Sequence, residues 1–227
     1  MNVLTTDEAR KLIRNYLNFG SKDHMLIDDL LIKAYLFTRD ELTTVIGDQG
    51  LFVTWGLNQV NETGYLGPII TDNSSREIGT TGKFIQTSFS PITKALNIPD
   101  ICIDSQTGYE IPLSELQRSH QKYLMSLSNN HFLNNDNLKV RGYTITPDDL
   151  KAIGLDKEVD DGNKNDKFLL IPMIRDERLP TEYNFIKEFL SVAISYFEND
   201  TIQCKPREYC DPCPSACGNF YDLFERY

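Results

Sequence analysis

The sequence predicts an α+β fold: two similar helix-strand-helix-strand units packed together, followed by an irregular, cysteine-rich C-terminal tail. Three observations predict it. Apolar residues recur at helical spacing in some segments and gather into β-branched and aromatic runs in others. Thr-x-x-Glu or Thr-x-x-Asp signatures, which cap helix N-termini, recur at the starts of helical segments. Finally, the stretch Tyr35-Leu36-Phe37-Thr38-Arg39-Asp40-Glu41-Leu42 resembles Tyr143-Thr144-Ile145-Thr146-Pro147-Asp148-Asp149-Leu150, 108 positions later.

Each element follows from its residues. Ala9, Leu12, Ile13, Tyr16 and Leu17 form one apolar stripe, so residues 5–19 are a helix, with Thr5 and Glu8 as capping box and Gly20 as stop. Residues 32–37 are a strand, and Thr38 with Glu41 opens a short helix that closes at Gly47. The β-branched and aromatic run 51–55 is a strand, and 65–71 is another, interrupted at Gly67-Pro68. The Ser-, Thr- and Gly-rich stretch 72–82 is a loop. Ser90-Pro91 starts a helix to residue 96, and 101–103 is a short strand.

The pattern then repeats. Residues 114–127 are a helix in which Tyr123-Leu124 falls on Tyr16-Leu17 of the first, an offset of 107. A polar loop at 128–137 leads to a strand at 138–145. Thr146 caps a short helix ending at Gly154, and a charged loop at 156–167 precedes an apolar strand at 168–174. Residues 181–197 are the longest helix, with a broad apolar face from Phe185 to Tyr196. The expected organisation is a first unit at 1–110, a second at 111–200, and the tail at 201–227. The likeness of the two units points to internal duplication, although capping physics alone also favours Thr-x-x-Glu/Asp. A duplicated pair would pack about a pseudo-twofold axis, with a groove between the halves as the natural ligand or partner site.

Composition narrows the function. The 227-residue chain carries 23 basic and 33 acidic side chains, a formal net charge of −10. That balance argues against nonspecific binding to nucleic acid or anionic lipid, which needs a positive field. No segment approaches the apolar length of a membrane span. The start, Met1 to Glu8, shows neither a basic region nor an apolar one, so the default expectation is the cytoplasm.

Cys204, Cys210, Cys213 and Cys217 are the only cluster with the density of metal ligands. Four thiolates suit tetrahedral zinc, and Cys210-x2-Cys213 has the right bite for one ion. Against this, the four are crowded, and Pro206, Pro212 and Pro214 stiffen the chain between them. Zinc, free thiols, disulfides and an iron–sulfur cluster therefore all stay open as readings of the tail.

The remaining candidates read as structural. His120 falls on the apolar side of its helix, the place of a hydrogen-bonded core histidine, and His24 and His131 sit in polar stretches. Cys102 reads as a small buried hydrophobe, and Trp55 and Tyr65 as core. The loop from Asp156 lacks the calcium pattern, because Lys167 stands where a bidentate Glu is required. Gly82-Lys83-Phe84 lacks the magnesium-binding Ser or Thr of a phosphate loop. Asp28, Asp29, Asp40 and Asp148 are acids that a fold could bring together. With no catalytic residue assigned, the sequence favours a non-enzymatic interaction or structural protein with a protein partner. Zinc binding at the tail is the alternative, and an enzyme assembled only by the fold is the third reading.

Overall fold

The computed structural model describes residues 2–19, 26–27, 34–60, 63–72, 84–86, 112–128, 142–156, 159–175, 189–199, 201–202 and 207–209. Its elements run β1 (Asn2–Leu4), α1 (Thr6–Asn18), β2 (Leu26–Ile27), β3 (Tyr35–Thr38), α2 (Arg39–Thr43), β4 (Leu51–Val60), β5 (Thr63–Asp72) and β6 (Phe84–Gln86). They continue with α3 (Leu113–Ser128), β7 (Tyr143–Ile145), α4 (Pro147–Ala152), β8 (Lys167–Arg175), β9 (Phe189–Glu198), β10 (Thr201–Ile202) and β11 (Arg207–Tyr209). The fold is α+β, with helices and two sheets that are antiparallel apart from the parallel β2–β5 pair.

The capping physics is realised at three helices. Thr5, Thr38 and Thr146 each accept from the backbone of the third helical residue, whose own carboxylate accepts from the threonine N–H. Thr38 N donates to Glu41 Oε2 at 2.8 Å, and Glu41 N to Thr38 Oγ1 at 3.2 Å. These contacts satisfy amides that helix geometry leaves without partners.

The first sheet has the order β1-β6-β5-β4-β7, with β2 beside β5; the second runs β10-β9-β8-β3, with β11 also on β9. The strands on either side of each short helix lie in different sheets. β3 pairs with β8, Phe37 opposite Phe168, while β7 pairs with β4, Ile145 opposite Leu51. The helices α2 and α4 thus each carry the chain from one sheet to the other. Gly50, with φ +89, sits where β4 meets β7, and a Cβ there would strike the Ile145 carbonyl.

Strand alternation sorts the core into layers. Leu51, Val53, Trp55 and Leu57 of β4 share one apolar cluster with Phe168, Leu170 and Ile174 of β8, so the two sheets pack face to face. Phe52 and Ile69 turn the other way, onto Ala9 and Ile13 of α1. Leu169, Ile171 and Met173 turn onto Leu116 of α3. The layers are therefore helix, sheet, sheet, helix.

Several expectations need correction. The helix expected at 181–197 is, over Phe189–Glu198, the strand β9 paired along its whole length with β8. Leu190 to Ser195 are buried on both faces, so the strand has no exposed polar face and its largely apolar run imitates a helix. Gly67-Pro68 does not interrupt β5, which pairs with β4 from Asp72 to Thr63. The short helix α2 ends at Thr43, before Gly47. Within the tail expected to be irregular, Arg207–Tyr209 is a strand on β9. The strands β1, β2 and β6 add to the expected set. The helix expected at 90–96 and the strand at 101–103 lie outside the described residues.

Candidate functional site

Arg39, the first residue of α2, ties that helix to α4 and β8. Its side chain is 3% exposed, and Nη2 donates to Asp166 Oδ2 at 2.7 Å in an ion pair. Nη1 donates to the Gly154 carbonyl at 2.5 Å, and the guanidinium lies over the Phe168 ring, 5.3 Å from its centroid. The Arg39 amide also donates to the Asp166 carbonyl at 2.8 Å. One arginine thus joins α2 to the C-terminal end of α4, where Gly154 has φ 78, and to the start of β8.

Asp166 opens onto a polar cleft of about 570 Å³ lined by Asn165, Asp166, Lys167, Tyr196, Phe197, Glu198 and Asn199. The ends of β8 and β9 frame it. Tyr196 is half-buried, its ring edge-on to Phe168 at 5.5 Å. Burial raises the Tyr196 pKa, as do the negative charges of Asp166 and Glu198, while Arg39 opposes them. Asn199 takes φ 52 at the turn into β10, a conformation asparagine tolerates.

Buried polar groups elsewhere serve the frame. His120 of α3 holds Pro172 of β8 through Nδ1 and the proline carbonyl, 2.8 Å apart, and stacks on Tyr123. Asn15 of α1 likewise donates to the Leu57 carbonyl of β4 at 3.2 Å. Tyr35 donates to the Leu66 carbonyl at 2.5 Å and stands edge-on to Trp55. Tyr35 and Tyr123 are fully buried, and desolvation raises both pKa values far above the usual value near 10.

Among the residues singled out from sequence, Asp40 and Asp148 are exposed in the first turns of α2 and α4, where carboxylates favour the helix dipole. Trp55 is core. Cys204, Cys210, Cys213, Cys217, Cys102, His24, His131, Asp28 and Asp29 lie outside the described residues. Among the described residues, no group of three or more His, Cys, Asp or Glu could hold a metal ion, and no helix is long and apolar enough to cross a membrane. The residues that build the cleft, Arg39, Asp166, Tyr196 and Glu198, were not singled out by the sequence. The available signal was Asn199-Asp200 between an apolar run and Thr201-Ile202, a hairpin pattern that turns the expected helix into a strand. Comparison with protein-family models, curated proteins and solved structures found no match to this chain.

Proposed function

We propose that the chain is a non-enzymatic interaction protein that engages a protein partner through the cleft at 165–167 and 196–199. The cleft itself is the observation that carries this reading. It is open and polar, and the buried Arg39–Asp166 pair fixes one wall at the junction of the two halves. A preorganised surface concavity of this kind suits recognition.

The frame around it is an internal duplication of units 1–110 and 111–200 packed about a pseudo-twofold axis. The reciprocal placement of β3 and β7 supports this, as does the packing of α1 on β4 and α3 on β8. Thr38 and Thr146 are 108 apart, whereas Leu51 and Phe168, the strand partners of Ile145 and Phe37, are 117 apart. The second unit therefore carries nine extra residues between its short helix and its long strand. Asn165 and Asp166 belong to that longer connection, so the cleft is a feature of one unit only.

The test is affinity capture from the source cells by the intact chain, compared with a folded Glu198→Arg variant. Recovery of one partner that falls about tenfold or more with the variant supports the reading. Equal recovery by both proteins, or recovery of no partner, overturns it. Elemental analysis under reducing conditions tests the zinc alternative. Bound zinc that is lost on Cys210→Ser and Cys213→Ser would move the function to the tail.

A further inference from the structure

Resting on the reading of the cleft as a recognition site, we propose that it takes a neutral saccharide. The sugar hydroxyls hydrogen-bond to Asn165, Asp166 and Lys167, and the sugar ring packs on Tyr196.

Three kinds of hydrogen-bonding group stand side by side in the cleft wall, the Asn165 carboxamide, the Asp166 carboxylate and the Lys167 ammonium. A carboxamide donates and accepts, a carboxylate only accepts, and an ammonium only donates. A ligand ammonium or carboxylate answers part of such a set. A hydroxyl both donates and accepts, so a ring bearing several of them answers the whole. Asn165 and Lys167 are exposed, and among the described residues their side chains have no hydrogen-bond or ion-pair partner. Asp166 is held from behind. Arg39 Nη2 donates to its Oδ2 at 2.7 Å, and the Arg39 amide donates to its carbonyl at 2.8 Å. That acceptor is therefore fixed before a ligand arrives, and a preorganised group loses less freedom on binding.

Strand register adds an aromatic wall. Residues directly opposite in an antiparallel pair share a face, and successive residues alternate. Tyr196 lies opposite Phe168 and Lys167 opposite Phe197, so Tyr196 and Lys167 stand on opposite faces of the β8–β9 pair. The cleft wraps the end of that pair, with the ring on one face and the ammonium on the other. The edge-on contact with Phe168, at 66° between ring planes, supports the orientation of the tyrosine ring. A pyranose carries C–H groups on its flat faces and hydroxyls around its rim. The faces suit an aromatic ring and the rim suits the polar wall. The cleft volume of about 570 Å³ falls within the range of about 300–1,000 Å³ typical of small-molecule sites.

The experiment applies the full-length protein to an immobilised array of neutral mono- and oligosaccharides, with sialylated glycans as charged controls. The best neutral binder is then titrated as the free saccharide, followed by NMR. The expected result is saturable shifts at Asn165, Lys167 and Tyr196. Tyr196→Ala and Asn165→Ala should each weaken binding about tenfold, while Tyr196→Phe, which keeps the ring, should retain most of it. Asn165 is exposed, so its variant keeps the test open should Tyr196→Ala fail to fold. Binding of no neutral saccharide, or an unchanged affinity in Asn165→Ala, overturns the inference. Partner capture repeated after enzymatic removal of glycans from the lysate separates the two sources. Loss of capture places the saccharide on the partner, and unchanged capture makes it a free ligand. The two readings also fail separately. If Glu198→Arg abolishes partner capture while no neutral saccharide binds, the cleft remains the docking face and saccharide recognition is refuted. If capture is unaffected by Glu198→Arg, the interaction reading itself falls.

Discussion

Removing either member of the Arg39–Asp166 pair should destabilise the fold by unequal amounts, and the exposures decide which loss is worse. Arg39 is 3% exposed at its side chain and Asp166 is 25% exposed. Asp166→Ala leaves a guanidinium that cannot shed its proton, buried with only the Gly154 carbonyl and the Phe168 ring for company. A buried charge stripped of its partner costs about 3–4 kcal/mol. Arg39→Met keeps much of the apolar stem, removes the charge, and leaves a carboxylate that water can reach. The main loss is then the charged hydrogen bond to Gly154, about 2 kcal/mol. For a chain of this size, 2 kcal/mol corresponds to a fall in Tm of about 4–8 °C.

Urea unfolding measures both variants and the double variant. The expected order is Asp166→Ala more destabilised than Arg39→Met, with unchanged m values. Asp166→Ala in the Arg39→Met background should cost under about 1 kcal/mol, because the charge it would strand has gone. If Arg39→Met costs as much as Asp166→Ala or more, desolvation of the guanidinium does not govern this site, and the reasoning fails.

Four further outcomes follow. Thr38→Ala and Thr146→Ala should each cost about 1 kcal/mol in urea unfolding, with Thr38 the larger because its box is partly buried. Folding raises the Tyr35 and Tyr123 pKa values above the unfolded value near 10, so their contribution is fully present below pH 10 and is lost as pH climbs from there. Stability should then fall by about 1.4 kcal/mol per pH unit for each tyrosine, which urea midpoints between pH 9 and 11 would reveal as a downturn. Trp55, the sole tryptophan, is fully buried, so its fluorescence should be blue-shifted and shielded from acrylamide until the protein unfolds. Tyr35 stands edge-on to Trp55 in the core, so a double-mutant cycle of Tyr35→Leu and Trp55→Leu should give a nonzero coupling.

What the sequence revealed was local. The capped starts of α1, α2 and α4 were legible because a threonine and the residue three positions on carry the whole interaction. His120 was legible as a core residue because helical spacing places it among apolar neighbours. What stayed hidden depends on distant partners. β9 is covered on both faces, so Leu190, Val192 and Ile194 alternate with Ser191, Ala193 and Ser195, which are buried too. The Arg39–Asp166 pair joins residues 127 positions apart, and neither carries a local sign of its partner. The short strands β1 and β6 pair with each other, and three residues hold too little pattern to stand out.

The short helix α2 explains how Arg39 comes to stand behind the cleft wall. Facing sheets stand about 10 Å apart, and a five-residue helix rises about 7.5 Å. A helix as short as α2 suits a step from one sheet to the other. The strand before it therefore completes the far sheet and the strand after it begins the near one. That step carries Arg39 away from β4 and sets it against Asp166 and Phe168 at the start of β8. At the corresponding place after Thr146, 108 positions on, the residue is Pro147, which has neither charge nor reach. The longer connection before β8 supplies the carboxylate that answers the arginine. The Arg39–Asp166 lock thereby fixes one wall of the cleft, and the recognition proposed here rests on that wall.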